Sequence, residues 1–387
     1  MKATPPNGSP QLEQWHNGWS ISLNKVNKRG GDEKMINARK GIWSGLVGVV
    51  VIALCLGLTA MPASAKKLIK LAHVDTDDPT ISSDHAFSVV FKNLVESGTN
   101  GEIEVKIYPA SVLGKERESM EMVQRGLIQG YLATTGAMAT FWPLVGVLDT
   151  PFAIPNYSVA YDVFDGPFGD KLKTSIEEAV KVKCLEVTGA AGFFCFTNSK
   201  KQIRTVDDVK GIKFRTMSMP SHIAFFSSMG ASAIPISWSE VFTAMQTGVV
   251  DGHHNPLGQI IYAKIYEVQK YLTLTNHIFS THYFIMNDAF FKGLTPEQKK
   301  VVLDAARVAK VASRGIPRTY LSTDKGLPFL AKHMDVYQPT LEEQKTFANV
   351  AIPAMQKWVK ENLGEEGAAL QDDFLKSIAD SVKKLGY

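Results

Sequence analysis

The chain has 387 residues and a formal charge of +4, from 42 Lys or Arg and 38 Asp or Glu. Residues 1–65 hold seven basic and three acidic residues, so residues 66–387 carry 35 of each sign and no net charge. A neutral surface lacks the positive field that attracts nucleic acid, so we exclude nucleic acid as a partner. The 322 residues after residue 65 are enough for about two domains.

The first 65 residues predict export of the protein. Two basic residues precede an uncharged segment, 41–65, which has an apolar core and closes on the tripeptide Ala-Ser-Ala. This order is typical of a cleaved signal peptide. A permanent membrane anchor is the alternative, because 25 uncharged residues nearly span a bilayer. We predict cleavage after Ala65, and a translation start at Met35 would give the signal an ordinary length.

The next elements predict an α/β lobe. Residues 67–74 alternate as a strand, and a helix over about 85–97 follows with Asp84 as its N-cap. A second alternating strand covers residues 102–109, a second helix covers about 115–125, and a short strand runs into the segment ATTGAMA. This alternation of strands and helices favours a largely parallel sheet.

An acidic loop follows the first strand. Asp75, Asp77 and Asp78 could bind a cation such as calcium, but the loop lacks the glycine and the distal glutamate of a calcium loop. We favour helix-capping and solvated acids, and we expect no metal site here.

Two cysteines remain after the predicted cleavage. Cys184 and Cys195 lie in what reads as two strands around a Gly-Ala-Ala-Gly turn. Export permits a disulfide, but spacing alone does not show that the side chains face each other. We favour two buried free thiols.

The pattern of short strands and helices restarts after residue 180, and the C-terminal part is helical. A long helix starts at Thr295 and its pattern runs towards Asp335, with Pro317 expected to kink or break it. Thr340 caps another helix, and a last one covers about 372–384. Two α/β lobes joined by several crossings would enclose a cleft, where small-molecule sites are common.

The motifs of common enzymes are missing from the sequence. It contains no G-x-S-x-G, H-E-x-x-H, G-x-x-x-x-G-K or G-x-G-x-x-G motif. His253 and His254 are adjacent, so on a strand their side chains point to opposite faces and do not suit one zinc ion. We therefore expect a binding protein with no catalytic residue, no metal and no cofactor.

Two residues are candidates for a ligand site from their local pattern. Arg215 shares a strand face with Lys213 near the strand's end, and its guanidinium matches a carboxylate with two hydrogen bonds. Ser237 and Glu240 form an S-x-x-E capping box, which puts Trp238 at the first helical position. The alternatives are a solvated arginine and a tryptophan that packs in the core.

Several long segments, in order, closely resemble the solute-binding proteins of TRAP transporters (tripartite ATP-independent periplasmic transporters), dicarboxylate-binding type. They are YPASVLGKERESMEMVQRG, ATTGAMATFWPLVGVLDTPF, FTNSKKQIRTVDDVKGIKFRT and WSEVFTAMQTGVVDGHHNPL through YEVQKYL. The resemblance runs from about Leu68 to Asp335. It implies an α/β protein of two lobes, a long helix that braces both lobes, and a cleft that closes on an organic acid. It also implies delivery to the small and large membrane permease subunits, driven by a sodium gradient.

The resemblance also implies site residues. Arg215 matches the arginine that usually binds a ligand carboxylate, and Asn255 matches an asparagine that donates to the same group. Trp238 matches an aromatic position that packs on the ligand. Thr134 and Thr135 match a segment that often lines the pocket.

The sequence departs from the family pattern at two places. Many members carry a second arginine where Phe194 and Cys195 stand, and a glutamine-glutamate pair where His253 and His254 stand. The missing arginine argues against a doubly anchored dicarboxylate. A monocarboxylate is therefore favoured over a dicarboxylate. Five aromatic residues make an apolar or aromatic acid one candidate: Phe193, Phe194, Phe141, Trp142 and Trp238.

We predict that residues 66–192 and 282–320 form the first lobe, and that residues 193–281 and 321–387 form the second. The predicted function is periplasmic capture of a small organic acid for a TRAP transporter. The alternatives are a ligand sensor for a signalling receptor and, less favoured, a periplasmic enzyme.

Overall fold

The computed structural model describes residues 66–387. The predicted signal peptide, its cleavage after Ala65 and the start at Met35 lie outside the described residues. Within residues 66–387, no helix combines the length and the hydrophobicity needed to cross a membrane.

The described part of the chain contains eleven strands in two sheets. They are β1 (Lys67–Ala72), β2 (Ile103–Tyr108), β3 (Gly130–Thr134), β4 (Lys183–Phe193), β5 (Cys195–Asn198), β6 (Lys213–Thr216), β7 (Ser232–Pro235), β8 (Gly252–Asn255), β9 (Tyr271–Thr273), β10 (Phe279–Met286) and β11 (Asp335–Tyr337).

Thirteen α-helices lie in the same residues. They are α1 (Ser83–Gly98), α2 (Glu116–Gln124), α3 (Thr135–Ala139), α4 (Tyr157–Asp165), α5 (Pro167–Val180), α6 (Pro220–Ser228), α7 (Val241–Gln246), α8 (Leu257–Tyr262), α9 (Asp288–Lys292), α10 (Pro296–Leu321), α11 (Leu327–His333), α12 (Leu341–Asn362) and α13 (Gly364–Leu385). Short 3₁₀ helices cover Pro143–Asp149, Val206–Val209, Trp238–Glu240 and Ile265–Glu267.

The first lobe is built on a five-stranded sheet of order β2-β1-β3-β10-β4. Strands β1, β2 and β3 are parallel, as predicted, and Ile103 and Val105 of β2 are fully buried. Strand β10 runs antiparallel to both of its neighbours. It returns from the second lobe and therefore enters the sheet in the opposite direction.

The second lobe is built on a six-stranded sheet of order β11-β9-β5-β8-β6-β7. Strand β6 lies between parallel neighbours β7 and β8, so the residue at its centre is enclosed on both sides. Arg215 stands there, opposite Ile234 on β7 and His253 on β8.

Two neighbouring segments connect the sheets. Phe194 joins β4 to β5, and residues 274–278 join β9 to β10. The Phe194 N–H donates to the Ile278 carbonyl (2.8 Å), and the His277 N–H donates to the Phe194 carbonyl (3.2 Å). The two crossings are therefore hydrogen-bonded to each other between the lobes.

Helix α10 braces both lobes, as predicted. Thr295 is its N-cap and accepts a hydrogen bond from the Gln298 N–H (3.2 Å). Its buried residues pack on α1 and β4 of the first lobe, while Tyr320 and Leu321 at its end pack on the apolar core of the second. The helix continues through Pro317 and ends at Leu321, short of the expected Asp335.

The two C-terminal helices pack on different lobes. Helix α12 contacts α6 of the second lobe, whereas α13 contacts α4 of the first. Helix α13 starts at Gly364, earlier than predicted, and buries Leu370, Phe374 and Ile378 in the core of the first lobe. Residues 364–385 thus lie against the first lobe, although the sequence division assigned them to the second, because these apolar side chains find their partners there.

Two local predictions also differ from the structure. The Gly-Ala-Ala-Gly segment is not a turn, because β4 runs through it to Phe193. Ser82, rather than Asp84, is the N-cap of α1, and its hydroxyl accepts from the His85 N–H (3.0 Å).

Cys184 and Cys195 are buried free thiols on strands of different sheets.

Candidate functional site

Side chains from both lobes line a cavity of about 30 Å³. Its neighbour is a groove of about 270 Å³, and four residues line both spaces: Glu116, Thr134, Arg215 and Met217. The first lobe contributes Val74, Asp75, Glu116, Thr134, Ser280 and His282 to the cavity, and the second lobe with its crossing contributes Phe194, Arg215, Met217, Trp238, Asn255, Gln259 and Tyr262.

Arg215 is a buried cation in the cavity wall. Its side chain is 1% exposed, and its Nε donates to the Ile236 carbonyl at 2.8 Å. Burial lowers the pKa of Arg215 to about 10, so the guanidinium stays charged at neutral pH. Within residues 66–387 it forms no salt bridge. Glu116 is close enough to act on the pKa of Arg215 but forms no salt bridge with it, so an anion in the cavity would offset the cost of this buried charge.

Trp238 lies beside this arginine at the start of a 3₁₀ helix. Its ring centroid is 5.6 Å from the guanidinium carbon of Arg215. The predicted capping box is absent, because the Ser237 side chain makes no cap hydrogen bond. Instead, Glu240 pairs with Lys115 (2.8 Å), and the Trp238 N–H donates to the Glu116 carboxylate (3.0 Å). The helix start is thus held by two residues of the first lobe.

Asn255 and Phe194 complete the second lobe's side of the cavity. Asn255 ends β8 and is 8% exposed, and its Oδ1 atom has no hydrogen-bond partner in the described part of the chain. Phe194 is 4% exposed and packs on the His254 ring at a centroid distance of 4.7 Å. The cavity wall here combines a free amide oxygen with an aromatic face.

The two predicted threonines have different surroundings. Thr134 lines the cavity, and its hydroxyl caps α3 by accepting from the Ala137 N–H (3.0 Å). The Thr135 hydroxyl donates to the Thr281 carbonyl (2.6 Å) inside the first lobe, away from the cavity. Successive residues at a strand end face opposite sides, so only one of the pair reaches the cavity.

The adjacent histidines do not line the cavity. His253 contacts the Thr197 hydroxyl (2.6 Å), and burial together with the nearby Arg215 lowers its pKa to about 3. His254 lies between His222 (3.1 Å) and His277 (3.0 Å) in the buried interior. Their opposite orientations agree with the sequence argument. No group of metal-ligating side chains occurs in residues 66–387.

The model of the DctP family, described as bacterial extracellular solute-binding protein, family 7, matches residues 73–362. The chain belongs to this family. The resemblance seen in the sequence, and the two-lobed α/β fold that it implied, are thereby confirmed.

Relatives of this family 7 protein include solute-binding proteins, one of which is named for its ligand. The chain is 41% identical over 217 residues to a solute-binding protein of Verminephrobacter eiseniae. The match covers 56% of this chain and 64% of that relative, which is slightly under two thirds of the relative's length. The chain is 34% identical over 228 residues to the 2,3-diketo-L-gulonate-binding periplasmic protein YiaO of Escherichia coli, covering 59% and 69% of the two chains.

A solved structure in the family has a similar fold. The sugar acid binding protein DctPAm of Advenella mimigardefordensis, in complex with galactonate, has a TM-score of 0.75 and 30% identity to this chain. The match covers 81% of this chain and 98% of the other.

Sequence reasoning missed the acidic side of the cavity in this family 7 protein. Asp75, taken for a loop acid, is 2% exposed and accepts hydrogen bonds from the Tyr262 hydroxyl (2.6 Å) and the Ser82 hydroxyl (3.0 Å). Burial and the neighbouring Asp84 raise its pKa to about 7. Asp77 and Asp78 are exposed, as expected. The position of Asp75 directly after β1 was the available signal, because ligands bind beyond the carboxyl ends of parallel strands.

Other missed residues join the two lobes. Tyr262 reaches Asp75 from the second lobe, and Glu116 binds the Trp238 N–H from the first. Gln259 lies one turn before Tyr262 on α8 and is 4% exposed. Glu116 falls in one of the quoted family segments, but nothing local in the sequence pointed to Gln259 or Tyr262.

Proposed function

We propose that this chain captures a small organic acid in the cleft between its lobes and delivers it to TRAP permease subunits. Arg215 binds the ligand carboxylate, Asn255 hydrogen-bonds the same group, and Trp238, Phe194 and Thr134 form the walls. Thr135 has a structural role instead.

The observation that carries this proposal is the buried, charged Arg215 with no salt bridge in the described chain. Its Nε is held by the Ile236 carbonyl, which leaves the two terminal nitrogens for a ligand. A guanidinium edge with two N–H donors matches a carboxylate. The names of the relatives support an acid, since galactonate and 2,3-diketo-L-gulonate are both carboxylates.

One arginine orients the ligand without supplying all of the affinity. Micromolar binding needs about 8 kcal/mol, whereas a charge-assisted hydrogen bond contributes roughly 1.5–3 kcal/mol. The remainder comes from the aromatic wall, the other polar contacts and the exclusion of water when the lobes close.

Entry of an acid requires the lobes to separate. A cavity of about 30 Å³ holds little more than a water molecule or two. Three contacts between the lobes would have to break: Asp75 with Tyr262, Glu116 with the Trp238 N–H, and Lys115 with Glu240. The paired crossings at Phe194 and residues 274–278 are the natural hinge, since few residues there join the sheets.

The proposal extends to partners and location. The family description is of extracellular binding proteins, and the relative from Escherichia coli is named periplasmic. We infer a periplasmic location, transfer to the small and large membrane permease subunits of a sodium-driven transporter, and a role in holding the ligand rather than in converting it.

Isothermal titration calorimetry of the purified protein against four- to six-carbon organic acids tests the proposal. Arg215→Ala should weaken binding of the tightest acid by about tenfold to a hundredfold, because the charge-assisted pair is lost. Arg307→Ala, at an exposed position on α10, is the matched control and should bind like the parent. Unchanged affinity in a folded Arg215→Ala variant would refute the role of this residue.

A further inference from the structure

Two buried amide groups face the cavity with unused hydrogen-bonding capacity. The Oδ1 atom of Asn255 and the Oε1 atom of Gln259 have no partner in the described part of the chain. Their residues are 8% and 4% exposed, and both line the cavity. A buried acceptor without a donor costs free energy, so these oxygens favour a ligand that carries O–H or N–H groups.

The acidic side of the cavity disfavours a second carboxylate on the ligand. Asp75 and Glu116 both line the cavity, whereas Arg215 is the one Lys or Arg among the described residues that do so. The charge of Arg215 is matched by one carboxylate. His282 also lines the cavity, but it is already paired with Asp84 (2.9 Å). A second carboxylate would therefore have no free cationic partner and would approach the carboxylate of Glu116, which is costly in a buried site.

The polar lining also disfavours a purely apolar acid. Ser280 and Tyr262 bring hydroxyl groups to the cavity beside the two amides. An alkyl or aryl tail would remove water from these groups without replacing its hydrogen bonds. A hydroxyl both donates and accepts, so a chain of hydroxyls can satisfy amide oxygens, carboxylates and hydroxyls together. The faces of Trp238 and Phe194 suit the C–H side of such a chain.

We propose that the ligand is a polyhydroxylated monocarboxylic acid of the sugar-acid type, whose hydroxyls are selected by Gln259, Asn255 and Asp75. This inference rests on the proposed function, because it assumes that the carboxylate binds Arg215. It replaces the apolar or aromatic acid suggested by the sequence, since Phe141 and Trp142 do not line the cavity. Gln259 is thus a specificity-determining residue.

Calorimetry with matched trios of acids tests this inference on the purified protein. Each trio has one chain length: erythronate, butanoate and succinate with four carbons, ribonate, pentanoate and glutarate with five, and gluconate or galactonate, hexanoate and adipate with six. The hydroxylated acid of at least one trio should bind ten times or more tightly than its two partners.

A plain or dicarboxylic acid that binds as tightly as the best hydroxylated acid would overturn hydroxyl selection and leave organic-acid binding intact. Absence of binding to every acid would overturn both proposals. The two failures are therefore distinguishable.

Gln259→Met tests the residue itself, because methionine has a similar length and no amide. Binding of the hydroxylated acid should weaken by about tenfold, with no comparable loss for any plain acid that binds. Gln344→Met, on α12, is the matched control and should change neither. If Gln259→Met weakened all acids equally, or none, the residue would not select hydroxyls, and the trios would still test the ligand class on the unmodified protein.

Discussion

Asp75 gives a prediction that follows directly from its burial. The side chain is 2% exposed, its two oxygens accept from the hydroxyls of Tyr262 and Ser82, and Asp84 with His282 lies nearby. Burial first and Asp84 second raise the pKa of Asp75 from 3.8 to about 7. Asp75→Asn keeps the shape of the side chain and an acceptor oxygen for Tyr262, but the amide does not ionise.

The sign of the effect follows from proton linkage. A carboxyl with a raised pKa in the folded state keeps a proton that the unfolded chain has already lost, so stability falls as the pH rises between about 4 and 7. A shift from 3.8 to about 7 corresponds to about 4 kcal/mol at most. The quantity to follow is the difference between the free energies of unfolding of the parent and of Asp75→Asn. This difference should decrease by up to about 4 kcal/mol as the pH rises over this interval.

Urea unfolding followed by circular dichroism at pH 4.5, 6.0 and 7.5 measures this difference. Titrating groups away from Asp75, including His253, His254 and His277, are shared by both proteins and cancel in the subtraction. Asp77→Asn, exposed on the same loop, is the control and should show a nearly constant difference. A constant difference for Asp75→Asn as well would mean that Asp75 titrates in the folded protein as it does in the unfolded chain, and the reasoning would fail.

Two further predictions concern closure of the lobes. Tyr262→Phe removes the 2.6 Å hydrogen bond to Asp75, so the affinity for the tightest acid should fall by about tenfold, and an unchanged affinity in calorimetry would show that this contact does not hold the lobes together. Gly136→Ala would place a Cβ 2.8 Å from the Cβ of Met217 on the opposite lobe, so it should also weaken binding by about tenfold. Gly315→Ala is the control, because a Cβ added at this position on α10 meets no other atom within 4 Å, and it should leave the affinity unchanged. Equal affinities in both alanine variants would argue against a tight approach of the lobes at Gly136.

The sequence predicted those parts of the site that lie on regular elements with strong local patterns. Arg215 could be placed near a strand's end from the alternation of apolar and charged residues, and its burial followed from the two strands beside it. Trp238 was correctly expected at the first position of a helical turn. The family segments added Asn255 and Thr134, and a departure from the family pattern added Phe194; all three line the cavity.

Contacts between distant residues were beyond local reasoning. Glu240 matched a capping box but pairs with Lys115, which is 125 positions away. Asp75 resembled a solvated loop acid because its partner Tyr262 is 187 positions away. In both cases a short-range pattern competed with a side chain that only the folded chain brings near.

The orientation of one residue relative to its neighbour was another limit. Thr134 and Thr135 were treated as a pair, although a strand end turns them to opposite sides. The last helix was predicted to belong to the second lobe, whereas Phe374 and its apolar neighbours pack on the first.

The central claim is that Arg215 holds the carboxylate of the ligand, and a comparison of an acid with its primary amide tests it most directly. The amide keeps the size and the remaining groups of the tightest-binding acid but carries no charge. We predict that calorimetry finds the amide at least tenfold weaker in the parent protein, and that the difference disappears in Arg215→Ala. Equal binding of acid and amide by the parent would contradict the account.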